Sequence, residues 1–168
     1  NTIKNLFGGG DAAAVYGAKD TIDGGRFARV FGGGNGESRD ADIGAGGTGL
    51  VVQGGIIDSL CGGSNIKGSI NGPVNTVLNN KGCSTEQIGV FFAGSNVANI
   101  NQNLVTNIDC GVKAITEIYG GCHKADITGD VTLNIKGGTF TRVFAGSKGK
   151  TGSDPADSAN ISGRVTLN

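Results

Sequence analysis

Few side chains in this 168-residue chain are of a type that performs chemistry, and they are scattered. The four cysteines stand at 61, 83, 110 and 122, with none of the CxxC pairs that build zinc sites and too few bridges for a disulfide scaffold. The single histidine, His123, lies in Cys122-His123-Lys124-Ala125-Asp126. Nucleophilic catalysis would need a base oriented by a third group, and a metal would need further ligands. Carboxylates cluster only as Asp40 with Asp42 and Asp154 with Asp157. Glycosidic hydrolysis requires a carboxylate pair across a groove, and lyase chemistry requires a calcium-binding Asp cluster beside an Arg or Lys base. Neither is assembled here, so these acids read as loop-solvating groups. The runs Gly8–Gly10 and Gly32–Gly34 lack both GxxxxGK[ST] and a following helix, so they read as turns and not as phosphate cradles. No catalytic residue, metal site or cofactor is expected.

Composition explains why the chemistry is sparse. Glycine supplies 33 of the 168 residues, close to three times its usual share, which excludes an ordinary helical domain. Leu, Ile, Val and Phe together still make up about a quarter of the chain, enough for a core. Fourteen basic residues balance fourteen acidic ones without a block of either sign, so no electrostatic footprint for nucleic acid or an anionic membrane is present. No apolar run approaches the length of a membrane-spanning helix, and membrane insertion is not expected.

The elements that must carry these residues are repeats. One phrase recurs six times: Leu6-Phe-Gly-Gly-Gly-Asp11, Val30-Phe-Gly-Gly-Gly-Asn35, Leu60-Cys-Gly-Gly-Ser-Asn65, Phe91-Phe-Ala-Gly-Ser-Asn96, Ile118-Tyr-Gly-Gly-Cys-His123 and Val143-Phe-Ala-Gly-Ser-Lys148. Its spacings are 24, 30, 31, 27 and 25 residues, the period of a solenoid. A second element aligns Ile100–Gly111 on Ile127–Gly138 without gaps, and Val131, Leu133 and Ile135 alternate there with polar residues as in a half-buried strand. Third, Phe140 and Val143 match Phe27 and Val30, Ile57 and Leu60, Ile88 and Phe91, and Ile115 and Ile118, which should share one interior. Each period predicts about three short strands, with Ala12–Tyr16 as the one place for a helical turn. Residues 1–168 therefore read as a single all-β domain, a right-handed parallel β-helix of 24–31 residues per coil and five to six coils.

Two columns follow from the phrase. Its fourth place is glycine in all six copies, which predicts a corner of positive φ or close backbone stacking. Its sixth place is Asp11, Asn35, Asn65, Asn96, His123 and Lys148, which predicts a structural ladder of side-chain hydrogen bonds. The second place, Phe7, Phe31, Cys61, Phe92, Tyr119 and Phe144, directly follows the inward residue. Strict alternation would turn it outward as an aromatic binding ladder, whereas a bend in the strand would bury it in the core. Burial is the favoured reading because Cys61 is a core-like replacement, and Phe7, Phe31, Phe92, Tyr119 and Phe144 are the candidate binding residues if it fails. Cys83 and Cys110 occupy one corner in neighbouring coils and could form a disulfide, while Cys61 and Cys122 should stay free.

The VFxGS/N phrase alternating with I-x-G-x-V-x-L-x-I-x-G-G resembles the glycine-rich repeats of large secreted or surface-attached proteins of anaerobic gut bacteria, Bacteroides-like and clostridial. The resemblance is one of repeat style and carries no catalytic residues. It implies an extracellular or cell-surface stalk or adhesin-like segment of a longer protein, contacting glycans or host surface proteins. Departures are Cys61 in the aromatic column, Cys122 and His123 at the corner, and the Lys81-Gly82-Cys83 corner. A carbohydrate-active β-helix domain and a self-assembling fibre component are the alternatives. Neither end of the chain reads as a cap, so further coils or end-to-end stacking of copies is expected to cover the terminal strands.

Overall fold

The computed structural model describes residues 1–81, 86–150 and 159–168, and it is an all-β solenoid of about five turns. Every strand pairing is parallel. One sheet contains β1 (Ile3–Phe7), β3 (Arg26–Phe31), β5 (Gly55–Cys61), β8 (Glu86–Phe92), β11 (Ala114–Tyr119) and β13 (Thr139–Phe144), stacked in that order. The other contains β2 (Val15–Ile22), β4 (Ile43–Val52), β6 (Ser69–Ile70), β7 (Val74–Leu78), β9 (Asn99–Ile100), β10 (Leu104–Ile108), β12 (Val131–Ile135) and β14 (Val165–Leu167). Each coil runs along the first sheet, turns through the six-residue phrase, passes a short segment and continues along the second sheet. The short segments stack as Val15, Ile43, Ile70, Ile100, Ile127 and Ile161, supplying the third strand of each period. No helix occurs among the described residues; Ala12 and Ala13 lie in a bend, Ala14 has no regular structure and Val15–Tyr16 opens β2, which corrects the expected helical turn.

Apolar residues enter the rod as the spacing predicts. Val30, Leu60, Phe91 and Ile118 are fully buried and pair coil on coil, while Val143, in the last coil, is half-buried at the end of the same column. Phe27, Ile57, Ile88 and Ile115 form the neighbouring column. The two columns are three residues apart because the first sheet breaks period two once per coil. Its pairing passes from Phe27↔Ile57 to Arg29↔Ser59 and omits Ala28, and each later strand omits the equivalent residue. Because every coil carries the irregularity at the same height, the parallel ladder survives it. Beyond it Val30 points inward and Phe31 outward.

Glycine is demanded at two kinds of corner for different reasons. Gly25 and Gly55 enter the first sheet with φ of 107°, and Gly138 does so with φ of 124°, a region that costs other residues strain. The fourth-place glycines have no positive φ, so of the two expected reasons only close stacking applies. A Cβ on Gly63 would sit 2.3 Å from Ser95 Oγ, and one on Gly121 would sit 2.2 Å from Ser147 Oγ. The next coil already fills that space.

Candidate functional site: an aromatic groove beside the corner ladders

The corner holds together because its hydrogen bonds change direction within the phrase. N–H groups at the third and fourth places donate to the following coil, as in Gly32 to Cys61 O and Gly33 to Gly63 O. Those at the sixth and seventh places donate to the preceding coil, as in Asn65 to Gly34 O and Ile66 to Asn35 O. Between them the fifth-place N–H finds no carbonyl of the following coil, and a side chain takes it instead. Gly34 N–H donates to Ser64 Oγ at 3.0 Å, Ser64 N–H to Ser95 Oγ at 3.1 Å, Ser95 N–H to Cys122 Sγ at 3.2 Å and Cys122 N–H to Ser147 Oγ at 3.0 Å. This column escaped the sequence reading, although its series Gly, Gly, Ser, Ser, Cys, Ser was the available signal.

The sixth place forms a ladder as expected from its composition. Asn35 Nδ2 donates to Asp11 Oδ1 at 2.7 Å, Asn65 to Asn35 and Asn96 to Asn65 at 2.8 Å each. His123 Nδ1 lies 2.8 Å from Asn96 Oδ1, whose amide already donates to Asn65, so Nδ1 carries the proton and Nε2 is left as an acceptor. Burial, then Lys124 and Lys148, hold the His123 imidazole below its ordinary pKa. It is a neutral ring.

Beside this ladder runs the aromatic column. Phe7 stacks on Phe31 with centroids 5.1 Å apart, Phe92 on Tyr119 at 5.1 Å and Tyr119 on Phe144 at 5.0 Å. Cys61 interrupts the ladder between Phe31 and Phe92. Phe31, Cys61, Phe92 and Tyr119 are buried, as the favoured reading expects, but in a cluster separate from the central core and not within it. The column faces outward, as alternation demands, and is then covered by the corner that folds back beside it. His123 stacks on Phe92 at 4.9 Å, and Lys148 Nζ lies 5.9 Å and 5.5 Å from the Phe92 and Tyr119 ring centres. At the open edge Phe144 stays 46% exposed.

A groove of about 320 Å³ opens onto this column, reaching Phe31, Cys61 and Phe92, with Arg29, His123 and Lys148 on its rim. Arg29 is oriented by its Nε–H on Asn5 Oδ1 at 2.9 Å. Tyr119 donates its hydroxyl to Glu117 Oε2 at 3.2 Å, and Glu117 is paired with Arg142. Burial keeps the Cys61 thiol protonated and pushes the Cys122 thiol up to about 12, so neither is a nucleophile at neutral pH.

The remaining sequence candidates do not converge on the groove. Asp42 accepts the Ser69 N–H at 2.7 Å, a corner bond, and Asp154 and Asp157 lie outside the described residues. Cys61 and Cys122 are free thiols and Cys110 is exposed; Cys83, and with it the expected Cys83–Cys110 bridge, lies outside the described residues. Among the described residues no three His, Cys, Asp or Glu side chains gather to hold a metal. Two inward carboxylates were not foreseen. Glu86, at the start of β8, is fully buried, and burial raises its pKa against the opposing pull of the Lys113 N–H and Asn80. Asp20 stands in the inward column of β2 and is likewise raised by burial, with Oδ2 unpartnered.

Compared with protein-family models, curated proteins and solved structures, the chain shows no significant match.

Proposed function

We propose that this chain is a non-enzymatic β-solenoid segment of a larger extracellular or cell-surface protein, with a structural and adhesive role. One observation carries the reading: recurring polar side chains at the corner bond coil to coil, while the aromatic column that runs beside them ends at its open edge in the exposed ring of Phe144. Flat ring faces with a polar rim suit a sugar ring or the surface of another protein, so glycans or host surface proteins are the partner class. The likeness of the repeat phrase to those of gut anaerobes supports the surface location. The last coil leaves Phe144, Val165 and Leu167 exposed, which supports a further partner at that edge: continuing coils of the same polypeptide or a second copy stacked at the strand spacing of about 4.8 Å.

A glycan array combined with a degradation assay on acidic polysaccharides tests the reading. Intact glycan retained by the wild type and lost in Phe144→Ala is the expected result. Release of shortened or unsaturated sugar would show the carbohydrate-active alternative to be correct.

A further inference from the structure

We propose that the two open ends of the rod are complementary docking faces for a second copy of this chain, the last coil of one copy seating on the first coil of the next with Lys148 on Asp11 and Phe144 on Phe7. The inference rests on the surface-segment reading above and deepens it by naming the partner of the open edge.

Charge singles out the second copy. The sixth-place ladder runs through Asn35, Asn65, Asn96 and the neutral His123, and full charges stand only at its two end rungs, Asp11 in the first coil and Lys148 in the last. The Asp11 carboxylate can only accept and the Lys148 ammonium only donate. Both residues are exposed, and the ion pairs among the described residues, Arg26–Asp58, Lys136–Asp109 and Arg142–Glu117, include neither. In the single chain Lys148 lies back over the Phe92 and Tyr119 rings, and its flexible four-carbon stem lets the ammonium turn to a carboxylate one strand spacing further on. Like ends brought together would set Lys148 against Lys148 or Asp11 against Asp11, so the charges select head-to-tail stacking.

The backbone and the rings continue in the same register. Third- and fourth-place N–H groups reach the following coil, and sixth- and seventh-place ones the preceding coil. By that pattern the N–H groups of Ala145 and Gly146 point out of the last coil and those of Asp11 and Ala12 out of the first, so each face presents donors where the other presents carbonyls. Phe7 is stacked by Phe31 from one side and Phe144 by Tyr119 from one side, so joining the copies extends the aromatic ladder at its own spacing of 5.0–5.1 Å. Val143 meets Leu6 in the inward column, where both are half-buried at its two ends. Two rungs fit less well: Leu167 falls on Asp20, and Gly10 offers no hydroxyl to the Ser147 N–H. These mismatches make the association reversible. Because it joins unlike faces along one axis, it does not close on itself and builds an open fibre.

Sedimentation velocity of the 168-residue chain from about 1 μM to about 1 mM tests this. The wild type should grow with concentration and show no plateau at a dimer. Asp11→Lys and Lys148→Glu each bring like charges together at the junction and should each weaken association by about tenfold or more. An equimolar mixture of the two variants pairs Glu with Lys at every junction and should restore association, as should both changes made in one chain. Melting temperatures establish that each variant is folded; if Asp11→Lys is not, Lys148→Glu should weaken association more than Lys148→Gln does. A wild type that stays monomeric, a plateau at a dimer, variants that associate as the wild type does, or a mixture that stays monomeric overturns the inference. The glycan array reads the adhesive role separately: glycan retained by a chain that never stacks overturns stacking alone, and stacking without any glycan bound overturns the adhesive role alone.

Discussion

At Ser95 a single hydroxyl closes a corner, because Ser64 N–H points at the following coil where no carbonyl waits. Ser95→Ala should cost about 1–3 kcal/mol, the penalty for a buried donor left without a partner, read by urea unfolding. Ser95→Cys should retain most of the stability, since Cys122 Sγ serves the same purpose one coil on; equal losses in both variants would contradict the assignment. Thr106 is the reverse case. Its Oγ1 is buried in the inward column without a partner, so Thr106→Val should raise stability by about 1 kcal/mol in the same assay. His123 contributes a pH dependence of definite sign. Its folded pKa lies below the ordinary 6.5, so its contribution is complete above that value and is lost as pH falls through the lowered one. His123→Asn, which continues the amide ladder, should flatten the melting temperature over that interval, and an unchanged slope would refute the linkage.

The stacked column is the element that matters here. Phe91 lies fully buried between Leu60 and Ile118, and Phe91→Ala should destabilise by about 3–5 kcal/mol in calorimetric melting. An unchanged melting temperature would deny that the column is core. Such columns were legible before any coordinates because residues such as Val30, Leu60 and Phe91 repeat at equivalent places, and period two marked Val131 and Leu133 as inward. The groove was legible only in part. Its rings could be listed from the phrase, but whether they faced in or out depended on one omitted pairing position per strand, at Ala28 and its equivalents. Ala12–Tyr16 misled for a related reason: alanine favours helix locally, yet pairing of Val15 with Ile43 draws the chain into the sheet.

On the scale of the whole rod, one inward column of the second sheet runs Asp20, Leu50, Thr76, Thr106, Leu133, Leu167. A carboxylate occupies one end and an exposed leucine the other. If copies stack end to end, Leu167 of one is brought onto Asp20 of the next, and the charged form is opposed. Burial already raises the Asp20 pKa above 3.8. The protonated form is therefore favoured in the fold, and its stabilising contribution is complete below 3.8 and lost as pH rises through the raised value. Association measured by sedimentation velocity should accordingly strengthen on acidification, and Asp20→Asn should promote it at pH 7. Indifference to both changes would count against stacking through these faces and leave continuing coils as the cover.

The sequence by itself determined the coil. Glycine content, a phrase repeated at about 27 residues and alternating apolar positions admit few arrangements other than stacked parallel strands, since like residues must lie over like. Only the tertiary structure decided the surface. The direction of the corner N–H groups, the outward turn of the aromatic column and its cover by His123 and Lys148 all depend on which coil lies above which residue. A repeat states what recurs along the chain, whereas a groove is made by neighbours about 27 residues apart whose meeting depends on register.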